Sequence, residues 1–254
     1  FHLKIVVDVL QRYLGTAGEW NRNRPSPKHS PLVRAFEGKG LGAPDCAIFW
    51  DFASLYQKPR ATNEEKLFLP GLKASNVWYG HAASVCWMQS ELPAGFAGVA
   101  YEASGWCFVE AAISAGVKPG QQRLDLGKRT EEALGFAYDH DGPHLATKLT
   151  GVCAARRPPP LLPSRVRELL QTEKTFTASS DVETVAELYR RFFDGVASTA
   201  SRLDFRQLQW RADEARQLVA VLPRFEALTA LDLSENELDA EGGTSCSALQ
   251  VAWV

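Results

Sequence analysis

An α/β architecture is predicted for this chain: a largely parallel sheet with flanking helices, then a helical connector, then a short strand-and-helix segment that repeats itself. Three observations predict it. From residue 46 to 127 short apolar runs alternate with stretches of helical spacing, the order that lays helices against a parallel sheet. From 165 to 200 apolar residues recur at helical spacing alone. From Leu203 onward a strand-like run returns after 28 residues with a helical stripe between the two copies, a unit that buries its apolar face only by stacking on a neighbour.

The elements follow in order. Leu3, Val6, Val7, Leu10 and Leu14 predict an amphipathic opening helix over 3–14. Residues 15–45, rich in Gly, Pro and charge, read as a long loop. Cys46 to Phe52 is an apolar run expected to form a buried strand that delivers Asp51 at its C-terminal end. Asn63-Glu64-Glu65 opens a helix expected to run to about Tyr79, kinked or restarted at Pro70. Ser84–Met88 reads as a second buried strand, Ser104 opens a helix through about Ala115, and Arg123–Leu126 reads as a third strand. Residues 128–164, poorly periodic and containing Arg156-Arg157-Pro158-Pro159-Pro160, are expected to form a linker stiffened locally as polyproline. Val166, Leu169 and Leu170 mark one connector helix. Ser180 and Glu183 suggest a capping box for a second, lined by Val182, Val185, Tyr189, Phe192 and Val196.

Leu203-Asp204-Phe205 and Leu231-Asp232-Leu233 are the two equivalent runs, and Trp210 and Leu238 keep the same offset. Ala215, Leu218, Val219 and Leu222 form the helical stripe between them, ended by Pro223. Asn236 stands where a strand turns away, a position at which a side-chain amide can bond to backbone groups; the preceding unit has Leu208 there.

Composition excludes several classes of function. With a net charge of −2 and no basic block, the chain is not built for nucleic acid or an anionic membrane surface. No apolar run approaches the roughly 18 residues of a membrane span. The cysteines Cys46, Cys86, Cys107, Cys153 and Cys246 are odd in number and scattered, as reduced thiols of a cytoplasmic protein would be. Asp139-His140-Asp141 with His144 reads as a solvated turn rather than a metal site, and no metal or cofactor is expected.

Residues 228–238 fit L-x-x-L-x-L-x-x-N-x-L and resemble leucine-rich repeats of the ribonuclease-inhibitor type. Tyr101-x-x-Ser104-x-Trp106-Cys107-x-x-Glu110 resembles a segment of Toll/interleukin-1 receptor (TIR) domains. Ile48-Phe49-Trp50-Asp51-Phe52-Ala53-Ser54-Leu55-Tyr56-Gln57 resembles an element of the related heterokaryon-incompatibility (HET) domains. The whole order is similar to a group of protist proteins that pair such a domain with ribonuclease-inhibitor-type repeats. The resemblance implies a TIR/HET-like domain over 1–127, N-terminally incomplete because the chain starts at Phe1. A linker (128–164), a helical connector (165–200) and a truncated leucine-rich-repeat segment (201–254) follow.

Glu110 is the candidate catalytic residue. On a helix it lies about 40° from Trp106, at the flank of the stripe formed by Trp106, Val109, Ile113 and Val117. In the NAD-cleaving members of the resembled family the equivalent Glu is the catalytic carboxylate. Trp106, Asp51 and Tyr101 are the candidate substrate-binding residues. Two functions follow as expectations: a signalling protein that contacts a protein partner through its repeats and can self-associate, or alternatively an NAD nucleosidase with NAD as substrate.

Overall fold

The computed structural model describes residues 1–13, 38–40, 46–81, 83–130, 144–238 and 250–252. In chain order its helices and strands are α1 (His2–Tyr13), α2 (Asp51–Ser54), α3 (Thr62–Ala74), α4 (Asn76–Gly80), β1 (Cys86–Met88), α5 (Gly105–Val117), β2 (Arg123–Asp125), α6 (His144–Cys153), α7 (Pro163–Thr172), α8 (Asp181–Thr199), β3 (Arg202–Asp204), α9 (Ala212–Val221), β4 (Ala230–Asp232) and β5 (Gln250–Ala252). Strands β1 and β2 pair in a two-stranded sheet, and β3, β4 and β5 form a three-stranded sheet in that order. The class is α/β.

The chain divides into two compact units, each assembled from separated segments: residues 1–72, 87–96 and 124–155 in the first, and 73–86, 97–123 and 156–254 in the second. The first unit has a small core of Ile5, Val9, Leu124, Leu126, Leu149 and Cys153, with Trp87 packed on it. Ser90 donates to the Asp125 carboxylate, which also accepts from the Gly127 amide at 3.0 Å, and Arg129 pairs with Glu91.

Three expectations for this region are corrected. Residues 46–50 form no strand: Ile48 is 49% exposed, and the chain turns directly into α2, where the Ser54 amide donates to the Trp50 carbonyl at 2.6 Å and the Trp50 amide to the Ser54 hydroxyl at 3.0 Å. A short apolar run does not by itself distinguish strand from helix, and here the local hydroxyl closes a helical turn. Second, the described residues between 46 and 127 hold only β1 and β2, three residues each, where a layered parallel sheet was expected. β1 is half-buried rather than buried. Third, the segment expected to be a linker without periodicity contains a helix: 144–153 is helical, and Leu149 and Cys153, one helical turn apart, are fully buried. The loop expected over 15–45 lies largely outside the described residues, as do Asp139–Asp141 and most of the chain after Leu238.

The second unit has one continuous core. Val109 and Ile113 of α5, Val166 and Leu170 of α7, and Val185, Tyr189 and Phe193 of α8 share it with Leu203, Phe205, Trp210, Leu218 and Leu231. Helices α4 and α5 bring glycines against α8: a Cβ at Gly80 or at Gly116 would meet the Phe192 ring at 3.3 Å. Tyr189 is 1% exposed; its hydroxyl donates to the Leu161 carbonyl at 2.8 Å and accepts from the Leu161 amide at 3.1 Å, which ties the proline-rich segment to α8. Burial pushes this phenol up to about 12. The capping box expected at Ser180 is absent: Ser180 has helical backbone angles and its side chain makes no cap bond, so α8 starts at Asp181 on turn hydrogen bonds, with Asp181 and Glu183 suiting its positive end.

The repeated segment has the predicted period. β3 lies parallel to β4 with Arg202, Leu203 and Asp204 opposite Ala230, Leu231 and Asp232, a register of 28 residues. The turns that follow match as well: Gln207 and Glu235 take left-handed φ angles of 57° and 58°. These strained turns are held by one side chain. Asn236 Oδ1 accepts from the amides of Leu208 (2.9 Å) and Trp210 (3.1 Å), while Nδ2 donates to the carbonyls of Phe205 (2.7 Å) and Leu233 (2.9 Å). Leu208 occupies the position equivalent to Asn236, so a single amide serves the backbone of both turns. β5 runs antiparallel on the far side of β4, Ala252 opposite Ala230.

Candidate functional site

Two places in the second unit bring chemistry-bearing side chains together. The first surrounds α5. Ser104 has extended backbone angles and its hydroxyl accepts from the Cys107 amide at 3.4 Å, the cap that starts the helix where predicted. One turn beyond Trp106, half-buried Glu110 receives the Tyr79 hydroxyl on Oε1 at 2.8 Å. The Cys86 thiol donates to the Tyr79 carbonyl at 3.7 Å. Burial pushes that thiol up, and the negative charge of Glu110 adds to the effect, although Lys118 and Arg123 oppose it. Cys86 is therefore a protonated, inert thiol at neutral pH.

The C-terminal end of α5 gathers cations. Lys118 is fully buried, and its ammonium donates to the carbonyls of His81 and Ser84 and, at 2.9 Å, to the Ser84 hydroxyl. Arg123, 1% exposed, donates to the Ala111 carbonyl (3.1 Å), the Ser114 hydroxyl (3.0 Å) and the Arg156 carbonyl (2.8 Å). Arg157 donates to the Ala115 carbonyl (2.7 Å) and the Asp204 carbonyl (2.8 Å), and lies over the Phe205 ring. Desolvation lowers all three; the two guanidinium groups come down to about 10, so Arg123 and Arg157 stay charged at neutral pH. Carbonyls at a helix C-terminus carry the negative end of its dipole, so Arg157 caps α5 at Ala115, while Arg123 ties α5 to the Arg156 carbonyl and Lys118 ties its end to the His81 and Ser84 carbonyls.

The four predicted site residues do not all belong to one unit. Glu110, Trp106 and Tyr101 belong to the second unit, and Asp51 to the first, where it is exposed at the start of α2. Trp106 is half-buried against the core and its indole N–H donates to Asp181 at 3.0 Å. Tyr101 is half-buried in a short 3-10 turn before Ser104. Sequence reasoning passed over Tyr79 as a site residue and missed Lys118 and Arg123 altogether. A lysine just after a helix and an arginine in a strand carry no spacing signal; only their burial marks them.

The second place is the outer face of the β3–β4 ladder. Asp204 and Asp232 stand side by side in register, and Arg206 reaches both, at 2.9 Å and 3.3 Å. Arg206 holds the Asp204 carboxyl below its usual range. Arg202 is exposed at the ladder's edge. A shallow cavity of about 320 Å³ lies elsewhere in this unit, lined by Leu161, Leu162, Arg165, Leu169, Ala220 and Val221 among others; it shares no residue with the Glu110 cluster.

Among the described residues no group of three or more His, Cys, Asp or Glu side chains could hold a metal, and no helix is long and apolar enough to cross a membrane. Comparison with protein families, curated proteins and solved structures gives no match for this chain.

Proposed function

We propose that this chain is a cytoplasmic signalling protein that binds a protein partner through a leucine-rich-repeat segment of the ribonuclease-inhibitor type, joined by α7 and α8 to a TIR/HET-like region. The supporting observation is the 28-residue parallel register of β3 on β4 together with the four hydrogen bonds of Asn236, which join successive turns as stacked repeats require. Such an arrangement presents a row of outward side chains, here Arg202, Asp204 and Arg206, whose alternating charges favour a polar, charged protein surface over nucleic acid. The test places a photo-crosslinking residue at Arg202 on the ladder or at exposed Val219 on α9 and follows adducts in an extract of the source cells. A discrete adduct from position 202 and none from 219 is expected. Equal adducts from both, or none from 202, would overturn the reading.

A second reading, an NAD nucleosidase, draws on one observation: the Tyr79 hydroxyl fixes one oxygen of half-buried Glu110. A carboxylate held in one orientation can stabilise the oxocarbenium-like ribosyl centre that forms as nicotinamide leaves, as in glycosidases. Nicotinamide release from NAD that disappears in Glu110→Gln supports it. Release that survives the substitution rules Glu110 out.

A further inference from the structure

The connection from α7 into α8 does more than join two helices. Thr175 forms an isolated parallel bridge with Ser104: the Thr175 amide donates to the Ala103 carbonyl at 2.8 Å, and the Gly105 amide donates to the Thr175 carbonyl at 3.1 Å. Lys174 donates to the Glu102 carbonyl at 2.9 Å and lies over the Phe108 ring, 4.7 Å from its centre. Asp181, the first residue of α8, takes the Trp106 indole N–H at 3.0 Å. Between them the Phe176 ring rests on the Cα of Gly105, so close that a Cβ there would sit 2.0 Å from Cζ.

Every one of these contacts falls between Glu102 and Phe108, the stretch leading into Glu110. The contacting segment is otherwise peripheral. Thr175 and residues 177–180 are exposed, whereas the helices on either side are locked into the core by Leu170 (1% exposed) and Val185 (fully buried). A few bonds between a solvent-facing connection and a helix N-terminus make a part that opens at a lower free energy than the core around it.

We propose that residues 174–181 are a releasable latch that keeps the Ser104–Glu110 segment closed, an autoinhibitory contact built into the second unit. Closed, the latch occupies the first amide of α5 and the Trp106 indole N–H, so neither can meet a ligand. Open, it frees both one helical turn from Glu110. As a moving part the latch stands on these contacts alone; as a gate on catalysis it rests on the nucleosidase reading.

Gly105 supplies the test, because a single methyl group excludes the closed ring while its backbone tolerates alanine. Hydrogen exchange is measured on the full chain for the native sequence, Gly105→Ala, Phe176→Ala and the double variant. Each single substitution is expected to speed exchange at 102–108 at least about tenfold, about 1.4 kcal/mol of opening free energy. Residues 185–197 and the β3–β4 ladder keep their native protection. The double variant opens no further than either single one, since both remove the same contact. Protection lost throughout the unit, unchanged exchange at 102–108, or additive effects would each overturn the latch. The same Gly105→Ala protein is then incubated with NAD. Nicotinamide release above the native level, absent when Glu110→Gln is added, marks the latch as a gate. Opening by exchange without release contradicts the nucleosidase reading and leaves the latch standing.

Discussion

The two polar centres of the second unit are organised by opposite rules. In the repeated segment one side chain, Asn236, bonds to backbone groups of two turns that share conformation and spacing, so a period in the sequence becomes a hydrogen-bond pattern. Around the end of α5 the reverse holds: Lys118, Arg123 and Arg157 each bond to backbone carbonyls of a different segment, His81, Arg156 and Ala115 among them. The first centre is written locally and repeated. The second exists only once the chain has folded, and no spacing announces it.

The sharpest way to break this contrast is Trp210→Ala. Trp210 is fully buried between the centres, with its indole N–H on the Arg157 carbonyl at 2.8 Å and its ring 4.8 Å from that of Phe205. Its loss is expected to cost about 3–5 kcal/mol in urea unfolding. A cost below about 1 kcal/mol would mean the two centres are not packed together. Asn236→Ala comes next, at about 2–4 kcal/mol, since four backbone groups lose a partner at once. Asn236→Asp keeps the acceptor for Leu208 and Trp210 but sets a carboxylate against two carbonyls, and no recovery over alanine is expected.

Tyr189 sharpens the comparison through pH. Its folded value, about 12, is above that of an exposed phenol at about 10. The buried hydroxyl's contribution is therefore fully present below pH 10 and lost as pH rises toward 12, because the unfolded chain releases the proton first. Native protein should lose about 2–3 kcal/mol more than Tyr189→Phe between pH 9 and 12. Matching pH profiles would place the phenol in water. Lys118 acts with the opposite sign: its lowered folded value makes stability rise with pH as the unfolded lysine approaches its ordinary titration near 10.5. Lys118→Met removes that rise and, by orphaning the His81 and Ser84 carbonyls, costs about 1–2 kcal/mol at neutral pH. The smallest effect is expected from Glu110→Gln, within about 1 kcal/mol in the same unfolding assay, because a half-buried carboxylate with a phenol partner contributes little to stability. A larger loss would make Glu110 a structural residue.

Legibility in the sequence follows the same division. The helix after Ser104, both connector helices and the 28-residue register were readable, because capping residues, apolar stripes and a repeat all act over short distances. The supposed strand at Cys46–Phe52 was not, because apolar character alone carries no period, and a hydroxyl at Ser54 decided the local structure. Helix α6 was passed over among threonines and a glycine, which weaken helix propensity until burial of Leu149 and Cys153 outweighs it. In the candidate site the motif points to Glu110 and Trp106 alone, while Tyr79 and Asp181, the groups that bond to them, lie 31 and 75 residues away and carry no local signal.

The interaction reading stands on Asn236 joining two stacked turns, and amide exchange tests that joint directly. In the native protein the Leu208 and Trp210 amides, both bonded to Asn236, should exchange slowly. Asn236→Ala should release these two while the amides of α8 stay protected. Equal protection of Leu208 and Trp210 in both proteins would contradict the joint, and with it the repeat on which partner binding is proposed.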